Sequence, residues 1–204
     1  AWIAVVSGAV ETVGTLTGFP FGRYDYTGAF GWKLGGVLPI TIPLAWWIIV
    51  LPLYRLSVER RPLGGAARYV LIPLSVSASA VWIDLVLEPV AWISRGYWLW
   101  EDGGPYYGVP LSNFIGWFAT AWVLTTGLLV LDRVMPPRRD RNDGPSIAGP
   151  GVLGVVLVTF VTAAWAERYV LAGIIGLAFL GYLAGSTVSN RRRPVGAEER
   201  GTSR

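Results

Sequence analysis

The sequence predicts an all-α protein, a polytopic transmembrane bundle of about six membrane helices with both chain ends on the inner side. Three observations carry that prediction. The chain has 204 residues that are 53% hydrophobic and only 15% charged. Six apolar runs approach the roughly 20 residues needed to cross a bilayer. Its basic residues also gather in alternate connections. This is a membrane protein's composition, and an inner (cytoplasmic) membrane of bacterial or archaeal type is the expected location.

The six runs are approximately 1–17, 34–54, 69–92, 109–131, 147–166 and 169–189. The first is short, and the chain opens on Ala1 rather than Met, so it is expected to begin inside or just before a helix of a longer protein. It has no charged stretch ahead of its apolar part, which argues against a signal peptide. Between the first two runs lies GFPFGRYDYTGAFGWK, residues 18–33, and between the third and fourth SRGYWLWEDGGPYYGVP, residues 94–110. Both mix Gly and Pro with clustered Tyr and Trp, so they are expected to re-enter the membrane or lie along its surface. Pro39, Pro43, Pro52, Pro73 and Pro89 are expected kinks, whose freed carbonyls need a donor or a cavity. The segment 133–146 is polar and free of aromatics, and reads as a solvated connector. The fifth and sixth runs meet at AERY, residues 166–169, in a tight hairpin. Gly173, Gly176, Gly181 and Gly185 there predict close helix packing, the last two as a GxxxG step. Residues 1–190 form one transmembrane domain and 191–204 a basic cytoplasmic tail.

Charge position sets the orientation. Arg55, Arg60, Arg61 and Arg68 flank the second connection, Arg133, Arg138, Arg139 and Arg141 the fourth, and Arg191, Arg192, Arg193, Arg200 and Arg204 close the chain. These thirteen of seventeen basic residues place both connections and the C-terminus in the cytoplasm. The pI near 9.6 thus reflects membrane topology, and no nucleic-acid partner is expected. Cys and His are both absent. That excludes disulfides, Cys-ligated clusters and His-ligated haem or iron built from this chain.

Against this background three acids stand out. Glu11, Asp84 and Glu88 lie inside apolar runs, about 10, 12 and 6 Å from the outer helix ends at 1.5 Å per residue. Ser77, Asp84 and Glu88 share one helical stripe, Ser7, Glu11 and Thr15 another, and Asn113 and Trp117 a third. These stripes are expected to face one another across the bundle interior. An ionised acid in hydrocarbon costs at least a few kcal/mol, and no Lys or Arg lies within the six runs. Arg23 is the nearest candidate counter-ion. Otherwise crowding leaves a neutral acid beside an ionised partner, the pairing that general acid–base chemistry requires. Two plainer readings of the same acids are hydrogen-bonded glue between helices and a proton relay.

The stretches GTLTGFPFGRYDYTGAFG, GVLPITIPLAW and IDLVLEPVAWISRGYWLWEDGGPYYGVPLSNFIGW resemble the carotenoid biosynthesis membrane proteins that include bisanhydrobacterioruberin hydratase and the γ-carotene 1′,2′-hydratases. The resemblance runs from about Gly8 to Asn190. Relatives usually carry further N-terminal membrane sequence. Their Asp-x-x-x-Asp-Pro pattern stands here as Asp84, Glu88 and Pro89, with one side chain a methylene longer. The resemblance implies addition of water to the terminal isopropylidene double bond of a linear carotenoid, leaving a tertiary alcohol. Protonating such an alkene gives a tertiary cation, so the site needs a neutral acid, an electron-rich wall and a base. Asp84 or Glu88 would be the acid, and the other, or Glu11, the base. Trp82, Trp92, Trp98, Trp100, Tyr106, Tyr107 and Trp117 are the candidate walls, at about 1–2 kcal/mol each when dry, with Asn113 and Tyr24 orienting water. No metal or organic cofactor is called for.

A different class of function is also open. The chain would then be a non-catalytic, hydratase-derived scaffold or carotenoid-binding subunit of a larger membrane pigment–protein assembly for photosynthesis. Retention of three costly acids argues against a pure scaffold. A prenyltransferase would want a DDxxD-type pair for a magnesium-bound diphosphate, and the adjacent acids Glu101 and Asp102 lie in a loop.

Overall fold

The computed structural model describes residues 1–60, 63–136 and 148–191, and within them the chain is a helical membrane bundle, 74% helix. The six helices are α1 (Trp2–Thr17), α2 (Thr41–Arg60), α3 (Gly65–Glu88), α4 (Leu111–Val134), α5 (Ala148–Ala166) and α6 (Val170–Arg191). The helix of α3 runs on as a π-helix through Pro89–Ser94. Helices α2, α3 with its extension, and α4 are long and apolar enough to cross a membrane; Trp2–Thr17, Gly151–Ala166 and Val170–Gly185 are shorter apolar helices. The basic tail and most of the 133–146 connector lie outside the described residues.

α3 is the hub, packed on α2, α4, α5 and α6, while α1 packs on α2 and α4. Its buried face carries Ile72, Val76, Ala80, Ile83 and Val86, all at zero exposure. The opposite pattern holds outside: Val5, Leu16, Trp47, Val123, Val155 and Leu177 are about half exposed or more. Apolar residues on both sides of a helix suit a hydrocarbon surround.

The second helix begins later than its hydropathy predicts, at Thr41 instead of residue 34. Residues 33–39 form a small hairpin, β2 (Lys33–Leu34) against β3 (Leu38–Pro39). Gly35 and Gly36 turn it in the left-handed region that other residues avoid. The two aromatic segments are joined to each other. β1 (Tyr24–Tyr26) pairs antiparallel with β4 (Trp98–Trp100), register Tyr24↔Trp100 and Tyr26↔Trp98, and this ribbon caps one end of the bundle.

Pro89 has no N–H to give the Leu85 carbonyl, which would be its helical partner. The phenol of Tyr106 donates to that carbonyl at 2.6 Å instead. The expected donor for a freed carbonyl is therefore supplied from the cap. In the last hairpin, close packing falls at Gly173, against Trp165, and Gly176, against Val161 and Val86. Gly181 and Gly185 have open space where a Cβ would sit, so the GxxxG step makes no close contact in this chain.

Candidate functional site

Alternation along a strand builds the site. Tyr24 and Tyr26 point to the same face of β1, as Trp98 and Trp100 do on β4, while Asp25 and Leu99 point away. Four aromatic donors thereby hang over the bundle. The two phenols donate to Glu11 Oε2, Tyr24 at 2.9 Å and Tyr26 at 2.7 Å. The two indole N–H groups donate to Glu88 Oε2, Trp98 at 3.3 Å and Trp100 at 3.1 Å. From within the bundle, Trp46 of α2 donates to Glu11 Oε1 at 2.8 Å. Asn113, in the first turn of α4, donates from its one amide nitrogen to Asp84 Oδ2 at 2.7 Å and Glu88 Oε1 at 3.0 Å.

The three acids are almost wholly buried. Glu11 and Glu88 each receive three donors, all uncharged. Asp84 receives one, and its Oδ1 has no partner among the described residues. Glu11 stands six residues before the end of α1, about 9 Å in from the capped end at 1.5 Å per residue, and Glu88 stands six residues before the end of the π-helix. Burial first, and then the Glu11 charge, push the Tyr24 and Tyr26 phenols well above the usual tyrosine range. Both remain O–H donors at any physiological pH.

Between the acids lies a cavity of about 380 Å³ lined by Glu11, Glu88, Asn113 and a shell of aromatic and aliphatic side chains. Of the residues expected at the site, Glu11, Glu88, Tyr24, Trp98, Trp100, Asn113 and Trp117 line it. Asp84 does not; it sits behind, tied to Glu88 through Asn113. Four expected aromatics lie elsewhere. Trp82 is two residues and about 200° round the helix from Asp84, and its indole donates to Ile175 of α6 at 3.1 Å. The indole of Trp92 donates to the Tyr107 carbonyl, since the wider π-turn leaves Ala91 against the cavity instead. Tyr106 holds the Leu85 carbonyl, and the Tyr107 ring packs edge-on against Tyr169.

Arg23 does not reach the acids. Its guanidinium donates to Asp102 Oδ1 at 2.7 Å and lies 3.8 Å from Glu101, with the side chain 65% exposed. Water and two loop carboxylates hold it outside at less cost than burial would. That contact raises the Arg23 pKa and draws the Asp102 carboxyl below the ordinary carboxylate range, first through the side-chain hydrogen bond between them.

Sequence reasoning missed Tyr26, Trp46, Phe21, Phe30 and Tyr97, all of which line the cavity. Tyr26 was recoverable, because the alternation in YDY places it beside Tyr24. Trp46 was not, because nothing in TIPLAWWIIV distinguishes it from Trp47, which is half exposed.

A family model described as carotenoid biosynthesis protein matches residues 1–186. The bisanhydrobacterioruberin hydratase of the archaeon Haloarcula japonica is 34% identical over 122 residues, 59% of this chain and 40% of that protein. The chain thus spans well under half of that relative's length. No solved structure matches.

Proposed function

The chain belongs to the carotenoid biosynthesis protein family, and from that premise we propose that it is a hydratase adding water to the terminal isopropylidene double bond of a linear carotenoid. One observation carries the reading: two buried carboxyls, Glu11 and Glu88, face a single apolar, aromatic-walled cavity and are held by uncharged donors only. A cation beside either acid would fix it as a spectator carboxylate. Neutral donors hold its position and leave it free to gain or lose a proton.

Asp84 and Glu88, crowded onto one amide, share a proton, and Glu88 delivers it from the cavity wall. That proton goes to the less substituted alkene carbon, and the double bond's electrons leave a tertiary cation on the other. The faces of Trp46, Trp98, Trp100 and Trp117 stabilise this cation at about 1–2 kcal/mol each. Water adds to the cation, and Glu11 takes the proton released. Proton return from Glu11 to the Asp84–Glu88 pair completes the cycle, with one water consumed. Asp84 acts through Glu88 and is a positioning residue.

The test is expression in a host that makes a linear carotenoid, with pigments resolved by chromatography and mass spectrometry. Glu88→Gln and Glu11→Gln are each expected to lower the hydrated product about 10²–10⁴-fold while the protein still inserts. Undiminished product from either variant would reject its role. Absence of product from the unsubstituted chain would reject the activity.

A further inference from the structure

The cavity is closed towards the cap and open towards one side of the bundle. At the cap, Phe30 stacks on Tyr97 with ring centroids 4.6 Å apart and Tyr24 meets Trp100 at 5.1 Å, both across the pairing of the two loops. On the side, the lining includes Leu44 and Ile48, one turn apart on α2, and Val156 and Phe160, one turn apart on α5. Leu44 lines the cavity and yet is 54% exposed, and the other three are half-buried. Residues that belong both to a cavity wall and to the outer surface mark its mouth. Leu44 and Ile48 lie about 5 and 11 Å along α2 from its capped end, and Phe160 and Val156 about 9 and 15 Å along α5. An opening at that depth faces hydrocarbon, not water.

Size makes the same point. About 380 Å³ is at the small end of ligand cavities; it takes the tip of a long chain, and the remainder must lie outside. We propose that the seam between α2 and α5 is a lateral port through which a carotenoid enters end-first from the bilayer. Its polyene then lies against Leu44, Ile48, Val156 and Phe160 while its terminus reaches Glu11 and Glu88. The proposal rests on the hydratase reading for the identity of the ligand, and it adds the route and the binding surface.

The test places a photo-crosslinking amino acid singly at Leu44 or Val156, and at the lipid-exposed controls Val123 and Leu177. The full chain stays in membranes containing a linear carotenoid with isopropylidene ends. Carotenoid adducts at 44 and 156 are expected at least severalfold above those at 123 and 177, and adduct yields equal at all four sites overturn the port. Pigment analysis of the same membranes separates the two readings. Hydrated product without enrichment at the seam rejects the port and keeps the enzyme. Enrichment without product keeps the port and rejects the enzyme, and neither rejects both.

Discussion

Asn113 touches both acids of α3 through a single nitrogen, at 2.7 and 3.0 Å. An amide donates without carrying charge, so it draws two carboxyls together without choosing which one holds the proton. Replacing it by Leu keeps most of the volume and removes the donor. Asp84 then has no partner among the described residues at either oxygen, because Oδ1 already has none there. Asn113→Leu is expected to cost about 1–3 kcal/mol, read as a lowered melting temperature in detergent, with loss of hydrated product. An unchanged melting temperature would mean that the amide does not hold the pair.

At the scale of elements, the β1–β4 ribbon is held down by a close approach. Phe21 lies between Gly14 of α1 and Gly116 of α4, and a Cβ at these positions would stand 2.7 and 2.5 Å from its ring. Gly116→Ala is therefore expected to displace Phe21 and the ribbon, at about 1–3 kcal/mol. Gly181→Ala, with nothing within 4 Å, is expected to be neutral or mildly stabilising. Thermal unfolding of the two variants side by side checks the contrast. The ribbon's outer edge is clasped by Arg23 and Asp102. Because Asp102 titrates below its ordinary 3.8 when folded, the clasp contributes fully above that value and is lost as pH falls through the lower, folded one. Protease sensitivity of the 94–110 segment should thus be flat near neutrality and rise only in strong acid, while Asp102→Asn should raise it at neutral pH. The pieces of this ribbon were legible in YDY and WLW as alternating aromatics. Their pairing was not, since Tyr24 and Trp100 are far apart in sequence and no local rule sets a register between separate loops.

For the whole molecule, the bundle, its helix number and the convergence of Glu11 with Glu88 follow from hydropathy, helical phase and depth. What escaped was decided by details those patterns do not carry. A π-turn after Pro89 moved Trp92 away, and the opposite phase took Trp82 to α6. Two loop acids kept Arg23 in water. Orientation rests on the basic connections, and the lack of cysteine makes it easy to check. Asp25→Cys, on the outward face of β1, is expected to react with an impermeant maleimide in intact cells. Met135→Cys, 65% exposed at the far end of α4, is expected to react only after lysis. The reverse pattern would invert the molecule.

Glu11 and Glu88 each stand six residues before the capped end of their helix, on different helices. In the proposed reaction a proton passed between them would cross the bundle from helix to helix instead of moving along it, and so would do little work against the voltage that charges the bilayer. The proposed hydration would then neither draw on that voltage nor be throttled by it.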